Sequence, residues 1–235
     1  MTHILSYGGG VNSTAIIALA LLGELPMPDY IVFSDTGAEW PFTYTYINHL
    51  ESKGIKITYL TGGDKFKDLI EFCDERKIVP SRLNRWCSDH WKITPVRKFA
   101  RAFDDVEMWV GIDAGEAHRA EKRRNKQTRF PLIELGMNRL NCKAVLLRAD
   151  LGIPQKSGCF ICPYQRKRQW IELKKWYPDM WEIAVRLEKQ SRERSPDHTL
   201  SGSAWGLEEY VADLHKQEEL DFGITLDQRC ECYFD

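Results

Sequence analysis

The sequence predicts an α/β fold in which helices flank a parallel sheet, followed by a helical region. Three observations predict it. Strand-like and helix-like segments alternate three times within about the first eighty residues, the pattern of βαβ units. Three consecutive glycines stand between the first strand and the first helix, and the chain beyond residue 134 turns helical and rich in tryptophan.

"HILSY" (His3 to Tyr7) reads as the first strand, and Val11 to Leu25 as the helix after it. "YIVFSD" (Tyr30 to Asp35) precedes a helix over Trp40 to Lys53, and "KITYL" (Lys56 to Leu60) precedes one over Lys65 to Lys77. In that third helix Phe66, Leu69, Ile70 and Cys73 recur at i, i+3, i+4 and i+7, which turns Cys73 toward the core. Ile93 to Phe103 fits a further helix, Val106 to Ile112 a buried strand, and "RFPLIEL" a short extended segment. A helix starting at Asn141 and closing at Gly152 comes next. Two more helices carry Trp170, Leu173, Trp176, Trp181, Ile183 and Leu187, and polar Ser191 to Gly206 reads as a mobile loop. The expected domains are 1–134, binding a nucleotide, and 135–235, helical and cysteine-containing.

At 235 residues, 43% apolar and 29% charged, the chain belongs to the soluble globular class. A net charge of −1 leaves no global basic field, so any polyanion site is local. The longest apolar run, Ala15 to Leu22, is too short to span a bilayer, and His3 to Tyr7 lacks the charged start of a signal peptide. A cytoplasmic protein without a membrane partner is expected. Seven cysteines form an odd set, and the close pairs Cys159/Cys162 and Cys230/Cys232 suit metal or thiol chemistry better than a disulfide framework.

Glycines at a strand-to-helix turn admit positive φ and close approach of a ligand, while the first N–H groups of the helix point outward. That is a phosphate cradle. As a dinucleotide fingerprint it gives Gly8, Gly10 and Ser13, with Asp35 as the ribose acid, but the third glycine is missing. No lysine follows, so it is not a Walker loop.

"SYGGGVNSTA" resembles the PP-loop, SGGxDS, of the N-type ATP pyrophosphatases and the phosphoadenosine phosphosulfate (PAPS) reductases, part of the adenine nucleotide alpha hydrolase-like superfamily. Gly9, Gly10 and Ser13 fall on the motif, Gly8 replaces its first serine, and Asn12 replaces its aspartate. "VFSDTGAEWPFTY" resembles the family's second-strand signature through Asp35, Thr36, Gly37, Glu39 and Pro41. "RWCSDHWKITP" is similar to its third stretch at Arg85, Cys87, Lys92 and Pro95, and "GIDAGEAHR" to its fourth at Gly111, Glu116 and Arg119. "SGCFICP" resembles the reductase-like branch.

The resemblance implies a Rossmann-like, HUP-type sheet. It implies that ATP, or PAPS or adenylylsulfate, is bound by Ser6, Gly8, Gly9, Gly10, Asn12, Ser13, Thr14, Ser34, Asp35, Thr36 and Gly111, with adenosine near Ser34 and Asp35. Asp35 would hold Mg2+ or the ribose, and Lys92 and Arg119 would stabilise departing pyrophosphate. Positive charge from Arg85 and Lys92 would favour a neighbouring thiolate, so Cys87 reads either as a sulfur-carrying nucleophile or as packing beneath phosphate ligands. Cys142, Cys159, Cys162 and Cys232, with Cys230 in reserve, form the expected metal set, holding a 4Fe-4S cluster as in reductase-like members that place sulfur into nucleic acid, or zinc.

The leading expectation is therefore adenylation of an acceptor with pyrophosphate release, for sulfur transfer in nucleic-acid or nucleobase modification. A sulfur-donor protein is a candidate partner, and a homodimer is left open. The basic stretch Arg119, Lys122, Arg123, Arg124, Lys126, Arg129, and a second at Arg166, Lys167 and Arg168 beside Trp170, could bring a nucleic acid with rings for stacking; both also read as solvated surface. The runner-up is a sulfonucleotide reductase using Cys232 in "CECYFD", which partly matches the family's ECGLH tail. The third is a nucleotide-binding module without turnover. Restoring aspartate at Asn12 is expected to raise pyrophosphate release in a weakened enzyme and to change nothing in a module.

Overall fold

The computed structural model describes residues 1–62, 65–121 and 127–213. These divide into two compact units: residues 1–72 with 86–159, and residues 73–85 with the chain from 160 onward. The expected boundary after residue 134 thus falls inside the first unit, because the next helix packs on the first one.

The first unit contains β1 (Thr2–Tyr7), α1 (Val11–Leu21), β2 (Tyr30–Asp35), α2 (Pro41–Ser52), β3 (Thr58–Thr61) and the start of α3 (Leu69–Arg76). After the short α4 (Trp86–Ser88) a π-helical turn, Asp89–Ile93, leads into α5 (Thr94–Ala100) and β4 (Val106–Val110). A 3₁₀ turn at Ala114–Glu116, α6 (His118–Glu121), β5 (Thr128–Arg129), α7 (Pro131–Glu134) and α8 (Arg139–Arg148) complete it. "RFPLIEL" is extended only at its start, because Pro131 fits the first turn of a helix, where its missing N–H costs nothing.

All five strands are parallel, in the order β3-β2-β1-β4-β5. Side chains alternate across the sheet: Leu5, Tyr7, Ile31 and Phe33 enter the core containing α1 and α8, while Ile4 and Val32 pack with Val96, Val106 and Phe99 on the other face. Helix α1 is buried continuously from Val11 to Leu19, and beyond its polar first turn it is apolar around its circumference from Ala15 to Leu19 rather than along one stripe. Helix α8 begins earlier than the sequence suggests. Its N-cap is Asn138, whose Oδ1 accepts from the N–H groups of Leu140 (2.9 Å) and Asn141 (3.0 Å), while Asn141 returns a bond to the Asn138 N–H in a capping box.

The second unit carries α9 (Lys167–Trp176), α10 (Pro178–Arg194) and a helical stretch over 207–213. Cys73 is buried, as its spacing predicts. Residues 195–206 form an ordered connection: Leu200 is fully buried, and the carboxylate of buried Glu188 accepts from the backbone N–H of Leu200 at 2.7 Å and of Leu207 at 2.5 Å. Burial raises the pKa of Glu188 while those two N–H groups oppose the rise. Among the described residues no helix is long and apolar enough to cross a membrane.

Glu188→Ala is expected to destabilise the second unit by about 2 kcal/mol, because two buried N–H groups lose their acceptor. Urea unfolding followed by tryptophan fluorescence measures it, with Glu193→Ala, on the same helix and exposed, as the silent control.

Candidate nucleotide site

The strand order reverses at β1, so loops leaving the carboxyl ends of β1 and β4 diverge and leave a crevice, the place where open α/β sheets bind ligands. The glycine loop stands there. Gly9 has φ +71°, and a Cβ on it would meet Thr43 Cγ2 at 2.8 Å. Gly8 is exposed with open space where a Cβ would be, and Gly10 caps α1 without a side-chain hydrogen bond. The first N–H groups of α1 are therefore left for a ligand. Ser13 Oγ donates to Gly10 O at 3.2 Å and accepts from Gly8 N at 3.4 Å, closing the loop on itself. Thr14 is buried beneath, donating to Gly10 O at 2.9 Å and lying 3.4 Å from the Tyr7 hydroxyl, so it supports the loop from the core side. Gly111 completes the arrangement: a Cβ there would sit 2.6 Å from Ser13 N and 2.8 Å from its Cα, so only glycine lets the end of β4 approach α1.

At the end of β2, Asp35 Oδ1 accepts from Tyr44 Oη at 2.7 Å and from Gly37 N at 2.8 Å. Burial and the adjacent carboxylate hold the Tyr44 phenol far above its usual pKa, keeping it a donor. Ser34 Oγ donates to Trp91 O at 2.7 Å and so ties β2 to the π-helical turn. That turn presents Lys92, whose Nζ lies 2.5 Å from Glu39 Oε1. Glu39 is buried and also receives Thr36 Oγ1 at 3.4 Å and Cys159 Sγ at 3.5 Å, while Cys159 and Thr36 touch at 3.2 Å. Gly158 O accepts from Trp40 N, and Ser157 packs against Gly9 and Gly10, so the 157–159 segment borders the glycine loop. Glu39 Oε2 and Thr43 Oγ1 are buried without a hydrogen-bond partner among the described residues, orphan groups of the kind a bound polar ligand satisfies.

A second polar cluster was not legible in the sequence. Asn12 Nδ2 donates to Asp113 Oδ2 at 2.9 Å, and Asn12 Oδ1 accepts from Arg139 Nη1 at 2.8 Å. Asp113 follows Gly111 closely in the fourth motif, which is the only local signal for it; Arg139 has none.

The remaining expected residues fall as follows. Ser6 is half-buried on β1 opposite Val110. Cys87 is half-buried in α4. Arg119 pairs with Glu116 at 2.6 Å, two residues of the same motif. Arg129 pairs with Glu134 at 2.9 Å and lies over the Trp109 ring, a structural role; Lys122, Arg123, Arg124 and Lys126 lie outside the described residues. Trp170 does not serve as a stacking ring, because it is buried; the exposed indoles of that unit are Trp176 and Trp205.

Of the expected metal set, the three described members Cys142, Cys159 and Cys162 are not grouped to hold a metal. Among the described residues no three His, Cys, Asp or Glu side chains group to hold a metal. Cys142 belongs to the apolar core around α1, and its thiol is pushed up to about 11 by burial and by Asp113, which opposes the thiolate a metal requires. Cys230 and Cys232 lie outside the described residues.

The chain matches the family described as phosphoadenosine phosphosulfate reductase domain over residues 2–134, the stretch that carries all four motifs. This chain belongs to that family. Two relatives come from Methanocaldococcus jannaschii: uncharacterized protein MJ0066, 29% identical over 86% of this chain and 44% of its own length, and uncharacterized protein MJ0973, 23% identical over 79% and 47%. The chain thus spans less than half the length of each. As a member of the PAPS reductase family it has a nucleotide-utilising fold, and the glycine loop and Gly111 are the family features with the clearest local reason.

In this family member, Lys92→Met is expected to destabilise the first unit by roughly 3 kcal/mol, because it strands the buried carboxylate of Glu39. Glu39→Gln with Lys92→Met is expected to recover most of the loss, and a double-mutant cycle in urea measures the coupling.

Proposed function

We propose that the first unit binds an adenine nucleotide through its phosphates and activates an acceptor by adenylation with release of pyrophosphate. The observation that carries the reading is the uncapped start of α1, opened by Gly8 to Gly10 at the strand-order reversal and approached by the end of β4 at Gly111. The phosphates lie on the N–H groups from Gly8 to Ser13. Asp35, fixed by Tyr44 and by Gly37, offers its second oxygen to the ribose or to Mg2+. The acceptor oxygen bonds to the α-phosphorus, the bond between that phosphorus and the bridging oxygen breaks, and the electron pair leaves with pyrophosphate. Lys92 and Arg119 each carry a carboxylate partner, so their charge toward the leaving group is partly neutralised. A sulfur nucleophile then displaces AMP from a nucleic-acid or nucleobase acceptor.

A sulfonucleotide reductase is the second reading, favoured by the description of the matched family. Calorimetry with ATP and with PAPS separates the two. Binding of ATP, with radiolabelled pyrophosphate exchanging into it when an RNA or DNA acceptor is added, supports adenylation. PAPS binding with thioredoxin-dependent sulfite release, lost in Cys232→Ser, supports the reductase. Nucleotide binding with neither turnover leaves the module.

A cluster or zinc on cysteine would be held by the Cys159/Cys162 turn with Cys232, Cys230 standing in reserve. Iron, zinc and sulfide analysis after anaerobic purification tests it: metal retained by the wild type and lost from Cys162→Ser supports the site, and a metal-free wild type removes it.

A further inference from the structure

Asn12 stands where the family motif has an aspartate, and its two neighbours give the physical reason. A carboxylate only accepts hydrogen bonds and a guanidinium only donates them, so one orientation of the Asn12 carboxamide satisfies Asp113 and Arg139 together. Asn12 and Asp113 are buried, whereas Arg139 is exposed at the first position of α8. An aspartate at position 12 would face the Asp113 carboxylate across the same 2.9 Å, and one of the two would have to hold a proton. The negative charge beside residue 12 is that of Asp113, on the segment after β4. The Asn12 carboxamide joins that charge to a guanidinium.

We propose that Arg139 is a phosphate-binding residue of the nucleotide site, held beside the glycine loop by Asn12, and that Asp113 is the positioning residue that orients Asn12. This rests on the reading of the glycine loop as a nucleotide site. Asn12 engages one of the five N–H donors of Arg139, and among the described residues no other hydrogen bond is made by this side chain. The rest of the fork suits bidentate contact with a phosphate. It adds to the positive end of α1, whose second residue is Asn12 itself, so guanidinium and helix act on the same anion. The ligand class is the polyphosphate of a nucleotide.

The test is calorimetry of ATP, inorganic pyrophosphate and adenosine against the wild type and four variants, with thermal unfolding followed for each. Arg139→Ala is expected to weaken ATP and pyrophosphate at least tenfold while adenosine changes less than threefold, and Arg139→Lys to fall between. Contrary to the expectation from the motif alone, Asn12→Asp is expected to weaken ATP at least tenfold, because it sets a second carboxylate against Asp113, and Asn12→Asp with Asp113→Asn, which restores one carboxylate and one carboxamide, to return it to within threefold of the wild type. Wild-type binding with an unaffected Arg139→Ala overturns the proposal alone, as does a folded double variant no better than Asn12→Asp. A wild type that binds neither ATP nor pyrophosphate overturns the adenylation reading and the proposal with it, whether or not PAPS binds. Should Arg139→Ala fail to fold, Arg139→Gln carries the same comparison.

Discussion

Most of the first unit is arranged around a helix that has no solvent face. Because α1 is buried from its first residue through Leu19, with the sheet contributing to its core and α8 packed on it, its position is fixed by the apolar contact of Val11 and of Ala15 to Leu19. Its amino end emerges at the reversal of strand order. A helix start fixed in this way presents its unpaired N–H groups at a definite place, without requiring a long side chain to do so. The glycines follow from that constraint: Gly9 must accept positive φ against Thr43, and Gly111 must leave room for the backbone of Ser13.

Two buried carboxylates border this helix start or the neighbouring loop, and each is answered differently. Glu39 receives Lys92 from the π-helical turn directly, with a threonine and a cysteine supplying weaker contacts. Asp113 receives a neutral carboxamide, through which it is joined to Arg139. Removing a charge from water is costly unless hydrogen bonds and opposite charge replace the solvent, so these partners are as much a condition of the fold as of any chemistry. The π-helical turn acquires a purpose in this light: its Trp91 carbonyl anchors Ser34 and its Lys92 reaches Glu39.

The cysteines separate by environment. Cys73 and Cys142 are core residues, and burial together with the nearby Asp113 carboxylate raises the thiol of Cys142. Cys159 is half-buried among hydrogen-bonding groups at the edge of the glycine loop, and Cys87 and Cys162 are half-buried as well. Spacing along the chain does not distinguish these cases, because the apolar cluster that takes in Cys142 is built from α1 and the sheet as well as from Val145 and Leu146 of its own helix.

The alternation of apolar segments, the glycine loop, the acid-bearing turn after β2 and Gly111 were all legible in the sequence, because each depends on local periodicity or on backbone geometry that few residues permit. The same was true of Cys73, placed by helical spacing alone. What only the tertiary structure decided were the long-range partners. Arg139 joins Asn12 across 127 positions and Lys92 joins Glu39 across 53, and no local pattern encodes which charge will lie beside which once the sheet has formed. Ser34 turned inward and Trp170 went to the core for the same reason: a side chain's accessibility is set by what packs over it, which its own segment does not contain.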